Sequence, residues 1–276
     1  MRPGALLLVL ALACSADGVA EKGRSALDAH ELPEAETWFR RALAKDPDHA
    51  GALAGLGWTY NLAGQRAAAL DAFQRCNEVA PRSVECLRGL ASLEMAAGRY
   101  DAARRRLDEA RAVDPDDPGV EGSIALLLMV TGDVDGAAVR YERLVARRPD
   151  AGEYRLGLAE ARLRQDRADE AMTLAQEGAT LEGTPVRYVA LLWQLYARAA
   201  VLSSAGLEDS ERCAETAPPI RVWLDAADAA LDRAESTGVT LPDLPATRRL
   251  IDRRQTILET ACPTAPPALL PSETPR

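Results

Sequence analysis

The chain has 276 residues, of which 47% are hydrophobic but only 4% aromatic, and its formal net charge at pH 7 is −9. This alanine-rich, aromatic-poor composition favours closely packed helices over a β-sandwich core. The acidic balance argues against binding to a nucleic-acid backbone, because no basic stripe is present to displace counterions. We therefore expect an all-α protein that does not bind nucleic acid.

The first predicted element is a targeting segment. An apolar run over residues 5–13 is too short to cross the ~30 Å hydrocarbon core of a bilayer as a helix, and it follows the basic Arg2. Its end, Ala11-Leu12-Ala13-Cys14, resembles the lipobox of bacterial lipoproteins. The resemblance implies a signal peptide over residues 1–13, a lipid on Cys14, and an outer-membrane lipoprotein that faces the periplasm or the cell surface. A soluble periplasmic or secreted protein, or a chance apolar start, stays open.

A repeat of 34 residues follows. Four prolines mark its period: Pro47, Pro81, Pro115 and Pro149. An alanine column keeps the same phase and predicts positions where neighbouring helices approach closely: Ala35, Ala69, Ala103, Ala137 and Ala171. Glycine recurs at residues 64, 98 and 132, where a positive φ ends a helix without a Cβ clash. The spacing predicts stacked helix pairs, and the period is lost beyond residue 183.

The repeats resemble the tetratricopeptide family. The unit that matches best carries the motif residues Leu56-Gly57, Tyr60, Gly64, Ala69, Phe73 and Pro81. The resemblance covers about residues 18–183 as five units, within a repeat domain over residues 14–183. It implies a right-handed α-solenoid of about five helix pairs, in which the first helix of each unit lines a concave, protein-binding groove.

The groove residues that the resemblance implies are largely apolar. They are Trp58, Asn61, Arg88, Met95, Leu126, Met129, Leu156 and Leu163. Arg88 is the only cation among these eight residues, which argues against a groove that binds acidic C-terminal tails. Met95 and Met129 predict an apolar or amphipathic protein segment as partner, because methionine adapts its shape. The chain's own C-terminal helices could instead fill the groove.

Three helix-interior glycines recur in the groove-lining helices, just before the buried leucine column. They are Gly55, Gly89 and Gly157. A helix-interior glycine costs ~1 kcal/mol relative to alanine. Their recurrence therefore predicts that a partner backbone or an adjacent helix comes very close to this stripe.

Residues 184–262 predict a C-terminal helical cap. A long helix over residues 186–205 should pack on the last repeat, and two further helices should form an antiparallel hairpin. The tail over residues 263–276 is rich in proline and poor in apolar pattern, and we expect it to be disordered.

Four cysteines remain besides Cys14, an even number that permits two disulfides in an oxidising compartment. The candidate pairs are Cys76 with Cys86 and Cys213 with Cys262. Cys213 and Cys262 would meet at the open end of the predicted hairpin. Four small buried thiols are the alternative.

No catalytic, cofactor-binding or metal-binding site is expected. His30 and His49 lie near predicted turns, and neither belongs to a short-spaced ligand motif, so we expect solvated histidines. The sequence predicts a non-enzymatic, membrane-anchored scaffold. Resemblance to pilus-assembly lipoproteins points to a use in cell-envelope assembly. A soluble periplasmic carrier for exported segments and an enzyme with its site in the C-terminal helices are the alternatives.

Overall fold

The computed structural model describes residues 15–203 and 213–262, with the side chains of residues 203, 213–219 and 261 excepted. These residues form thirteen α-helices, which we number in chain order. They are α1 (Ala16–Asp28), α2 (Leu32–Leu43), α3 (Ala50–Leu62), α4 (Arg66–Val79), α5 (Val84–Ala96), α6 (Tyr100–Val113), α7 (Pro118–Thr131), α8 (Val134–Arg147), α9 (Gly152–Arg164), α10 (Ala168–Thr180), α11 (Val186–Ser203), α12 (Cys213–Ser236) and α13 (Leu244–Ala261). The predicted all-α solenoid is confirmed.

The helix starts follow the sequence period. Residues 15, 49, 83 and 117 are N-caps spaced 34 apart, and each side chain accepts a hydrogen bond from the backbone N–H three residues further on. These bonds satisfy amide groups that have no partner within the helix. Three of the caps are the usual Ser or Asp, but the second is His49, whose Nδ1 is 3.1 Å from the Ala52 nitrogen.

The turn inside each unit also keeps the period. Residues 30, 64, 98, 132 and 166 all have a positive φ, between 59° and 94°. Glycine occupies the middle three, whereas His30 and Asp166 adopt the same left-handed conformation at either end of the array. Because His and Asp are among the residues that tolerate this region best, the turn survives without glycine.

The predicted small and bulky columns form the core within each helix pair and between successive pairs. All five alanines of the small column are fully buried. The bulky column is buried as well, with exposed fractions of 6% or less, and consists of Phe39, Phe73, Leu107 and Tyr141. Alanine lets the helices approach, and the large side chains fill the space between one unit and the next.

The helix register continues one step beyond the end of the predicted repeats. α11 begins at Val186, 34 residues after Gly152, and packs on α9 and α10 as a further first helix. α12 then packs along α11, and α13 contacts both. Their core contains Trp193, Leu224, Leu231, Ile251 and Leu258. None of the described helices is long and apolar enough to span a bilayer.

Candidate protein-binding groove

The first helices of successive units form the inner face of the solenoid. Helices α1, α3, α5, α7, α9 and α11 pack against one another in sequence, more extensively than successive second helices do. This difference curves the array toward the first helices and gives it a concave surface, which we call the groove.

A cavity of about 550 Å³, which we call the central cavity, lies in the groove between α3 and α11. Six of the eight groove residues from the sequence analysis line it: Trp58, Arg88, Met95, Leu126, Met129 and Leu156. The other two, Asn61 and Leu163, are not among its lining residues. Leu163 is buried with Leu195, so α11 covers this part of the predicted surface.

The exposed apolar surface of the central cavity lies on α7. Leu126 is 44% exposed and Val130, one turn further along, is 40% exposed. Met129 lies between them in sequence but is buried with Tyr141 and Leu158. Of the two methionines, Met95 therefore offers more surface to a partner, and Leu126 with Val130 provides the apolar platform.

One wall of the central cavity was not anticipated from the sequence. It comes from α11 and consists of Tyr188, Leu191, Gln194, Leu195 and Arg198. Gln194 lies 34 residues after Glu160, so extending the repeat period beyond residue 183 would have predicted this wall. The described residues of α12 and α13 do not line the cavity, so α11 narrows the groove without filling it.

A polar cluster lies in the groove beside Trp58. The indole Nε1–H of Trp58 donates to the Glu85 carboxylate, which also pairs with Arg88 at 3.0 Å. The Arg88 guanidinium lies 6.0 Å from the Trp58 ring centroid, within cation–π range. Its Nε also lies 3.5 Å from the Ser123 hydroxyl on α7. These contacts fix Arg88 across three consecutive first helices.

A second charged cluster borders the other side of the central cavity. Glu160 pairs with Arg164 on its own helix and with Arg198 of α11, each at 3.2 Å. Arg164 also donates from Nη1 to the carbonyl oxygen of Met129, 3.1 Å away. The carboxylate thus joins α9 to α11, and the cluster carries one more positive than negative charge.

A further cavity of about 550 Å³, which we call the N-terminal cavity, lies in the same groove. Leu27 and Asp28 of α1 line it together with Arg187 and Tyr188 of α11, so residues from opposite ends of the array face one another. Partial burial of the carboxyl group raises the pKa of Asp28, and the nearby Arg187 partly opposes that rise. Trp58, Arg88 and Tyr188 line both cavities, which are therefore adjacent.

Comparison with protein families agrees with this architecture. Models of the tetratricopeptide repeat match residues 61–127 in one case and residues 21–76 and 123–182 in another. Together they cover residues 21–182 without a gap. The chain belongs to the tetratricopeptide-repeat family. No curated protein matches the sequence of this tetratricopeptide-repeat protein.

Solved structures share the fold at low sequence identity. A tetratricopeptide-repeat protein from Parabacteroides merdae matches 85% of this chain and 83% of its own, with a TM-score of 0.61 and 18% identity. A thermophilic tetratricopeptide-repeat protein from Thermus thermophilus matches 64% of this chain and 99% of its own, with a TM-score of 0.55 and 23% identity. PilF from Pseudomonas aeruginosa matches 87% of this chain and 96% of its own, with a TM-score of 0.52 and 18% identity.

The glycine stripe of the tetratricopeptide repeats is explained by the adjacent helix. A Cβ atom added at Gly55 would lie 2.2 Å from the Phe39 ring, and one at Gly157 would lie 2.4 Å from the Tyr141 ring. Each ring belongs to the second helix of the preceding unit. Of the two alternatives left by the sequence, the structure thus shows the adjacent helix at this stripe.

The cysteines fall in three places. The structure joins Cys76, near the end of α4, to Cys86, in the first turn of α5, with Cα atoms 5.7 Å apart. Cys262 is buried and disulfide-bonded at the end of α13. The side chain of Cys213 and the whole of Cys14 lie outside the part that the structure describes.

The two histidines have structural surroundings. Because Nδ1 of His49 accepts from the backbone, its Nε2 carries the proton and donates to Asp17, 2.9 Å away. His49 is therefore a helix cap and not the solvated residue that we expected. The pKa of His30 is lowered by partial burial and by the nearby Arg187. In the described part of the chain, no group of three or more His, Cys, Asp or Glu side chains is arranged to hold a metal ion.

Proposed function

We propose that this tetratricopeptide-repeat protein is a non-enzymatic scaffold that binds an apolar segment of a partner protein in its groove. The observation that carries the proposal is the exposure of Leu126 and Val130 at the concave face. When a partner covers exposed apolar side chains inside a concave cavity, the burial of their surface favours binding. Family membership supports the general role, because tetratricopeptide repeats form protein-interaction scaffolds.

A matched pair of variants tests the groove. L126S/V130S removes the apolar platform, whereas V139S changes a valine of α8 that is 46% exposed and lies outside both cavities. Binding of a library of apolar nonapeptides to the full-length protein is measured by fluorescence anisotropy. We expect L126S/V130S to weaken binding about tenfold or more, and V139S to leave the affinity unchanged. Equal affinities for the two variants would contradict the groove assignment.

We further propose that a lipid on Cys14 anchors the scaffold to the outer membrane. Support comes from the apolar run over residues 5–13 and from the Cys76–Cys86 disulfide, since such bonds persist in oxidising compartments. Intact mass spectrometry of the protein purified from membranes of its native host tests the anchor. A diacylated Cys14 at the mature N-terminus is expected. An unmodified Met1 would place the chain in the cytosol.

The assembly of a cell-envelope complex is the use that we propose for the anchored scaffold. It rests on the resemblance of the sequence to pilus-assembly lipoproteins, and the fold shared with PilF is consistent with it. In vivo cross-linking with a photoreactive residue at position 126 should trap an envelope protein, while the same residue at position 139 should not. Cross-links only to soluble exported proteins would contradict an assembly role.

A soluble periplasmic carrier is the second candidate, because Ala11-Leu12-Ala13 also fits an ordinary secretory cleavage site. Such a carrier would be processed without lipid and would fractionate with the soluble periplasm. It should bind many apolar peptides weakly, whereas an assembly scaffold should favour one partner sequence.

A further inference from the structure

The first unit has an outer side that no described repeat covers. We call this side the end face, and it carries Lys22 of α1 with Trp38 and Arg41 of α2. Three later units bury a leucine at the position of Lys22, with exposed fractions of 5–7%: Leu56, Leu90 and Leu158. Lys22 is exposed at this position of the first unit, so it marks the side on which the other units pack against a predecessor.

Trp38 is the aromatic residue of the end face. Its ring is partly buried against the core of the first two units. Lys22 Nζ lies 4.8 Å from the ring centroid, and the Arg41 guanidinium lies 5.4 Å from it. Its indole N–H has no hydrogen-bond partner among the described residues, whereas that of Trp58 donates to Glu85. A tryptophan with a packed ring and a free polar edge suits the boundary between lipid and water.

The two cations of the end face are available to an external anion. Neither Lys22 nor Arg41 forms an ion pair with a described carboxylate, whereas Arg24 and Arg40 are each paired with a glutamate of their own helix. Glu34 is the one acidic residue that lines the depression on the α2 side of this face. The end face therefore has two cations against one carboxylate, in a chain whose formal net charge is −9.

The end face also lies close to the proposed lipid site. Ser15, the N-cap of α1, directly follows Cys14, so no linker separates that site from the solenoid. Lys22 comes seven residues after Ser15, which is ~10 Å along a helix. The headgroup layer on each side of a bilayer is only ~5–7 Å thick. An α1 that lies along the membrane therefore brings Lys22 into this layer, whereas an upright α1 does not.

We propose that the end face lies on the surface of the bilayer that holds the Cys14 lipid. Trp38 enters the headgroup layer, and Lys22 and Arg41 contact the phosphates of anionic lipids. The proposal rests on the proposed lipid anchor and adds an orientation to it. The array then extends away from the membrane, with its first unit nearest the bilayer and its groove open to a partner alongside.

Quenching of tryptophan fluorescence by brominated lipids tests this orientation. The acylated protein is purified from membranes of its native host and added to preformed vesicles of phosphatidylethanolamine and phosphatidylglycerol, whose acyl chains carry bromine near the headgroup. Since one of four tryptophans enters the headgroup layer, we expect wild type to lose about a fifth of its emission and Trp38→Phe to lose almost none. Trp223→Phe, on α12, is the matched control and should be quenched at least as much as wild type.

Charge variants then locate the lipid contact. Lys22→Gln with Arg41→Gln should halve the quenching of Trp38 or reduce it further, and high salt should have a similar effect on wild type. Arg66→Gln with Arg75→Gln removes the same charge from exposed positions of α4 and should leave the quenching unchanged. Circular dichroism checks that all variants remain folded.

Each other outcome overturns a defined statement. Equal quenching of acylated wild type and Trp38→Phe overturns the orientation and leaves the anchor intact. If light scattering then shows a dimer in detergent, the end face is assigned to a second copy of the chain. Quenching of Trp38 that the charge variant leaves unchanged overturns the role of the two cations. Mass spectrometry of the same sample that finds no lipid on Cys14 overturns the anchor, and the orientation with it.

Discussion

Gly89 of α5 lies directly against the Phe73 ring of α4. A Cβ atom added at Gly89 would stand 2.1 Å from Phe73 Cε1, well inside van der Waals contact, and Phe73 itself is completely buried. The ring also packs edge-on against Trp58, with centroids 5.2 Å apart. A structural residue of the core and a lining residue of the groove are therefore in direct contact.

We expect Gly89→Ala to destabilise the protein. Alanine gains up to ~1 kcal/mol in helix propensity, but overpacking a closed core costs ~1–3 kcal/mol and sometimes more. Because the clash is with a rigid buried ring, we expect a net loss of about 2 kcal/mol in the free energy of unfolding, measured by urea denaturation.

Two further variants separate the clash from the general effect of glycine. Gly51 lies on the exposed face of α3, where an added Cβ atom would meet only His49, at 3.3 Å. Gly51→Ala should therefore change the free energy of unfolding by less than ~1 kcal/mol. Phe73→Leu should make Gly89→Ala less harmful than it is in the wild-type background. An unchanged penalty in that background would mean that the ring is not the obstacle.

The Cys76–Cys86 disulfide should stabilise the junction between the second and third units. It links residues ten apart, and the chain-entropy estimate for so short a loop is ~2–3 kcal/mol. C76A/C86A should therefore lower the free energy of unfolding by about this amount under oxidising conditions. In dithiothreitol the variant and the wild type should differ much less, since both then lack the bond. A difference that survives reduction would assign the loss to packing.

The repeat architecture could be predicted because it is encoded locally and several times over. Proline, alanine and glycine each recur with the 34-residue period, and a family resemblance fixes which helix lines the groove. The same arithmetic placed Arg88, Leu126 and Leu156 at the surface that forms the central cavity. For these residues the position within the unit determines the position in space.

The remaining parts of the groove depend on relations that no single unit contains. Arg187 approaches Asp28 because the array curves over six successive first helices. The pattern within a single repeat does not predict this long-range contact. The burial of Leu163 depends on α11, whose helix keeps the period although its side chains depart from the family motif. The prediction of a solvated His49 is wrong because the residue is a helix N-cap, a position where three of the other units use the more usual Ser or Asp.

The pH dependence of stability should include a contribution from His30. Its pKa in the folded protein is lowered below 6.5 by burial and by Arg187. Stability from the neutral imidazole is thus fully present above about pH 6.5, and it is lost as the pH falls from there through the folded-state pKa. His30→Asn removes this term, and asparagine tolerates the positive φ of 61°. Between pH 7.5 and 5.5, wild type should lose more stability than H30N in urea denaturation, and an equal loss would show that His30 does not contribute.

Removal of α11, together with α12 and α13, should destabilise the repeats themselves. Leu192 and Leu195 are buried against Leu163, Ala171 and Ala175, so a chain that ends at residue 183 exposes this contact. At ~1.5–3 kcal/mol for each buried leucine, we expect a loss of at least ~3 kcal/mol, together with binding of a hydrophobic dye.

A chain that ends at residue 262 is the matched control for this truncation. It lacks only the proline-rich tail, and we expect it to unfold at the wild-type urea concentration. Both truncations are compared with wild type in reductant, so that the disulfide at Cys262 does not contribute to the difference. If the chain ending at 183 also unfolded at the wild-type concentration, the solenoid would be stable as five units, and α11 would be only a neighbour of the groove.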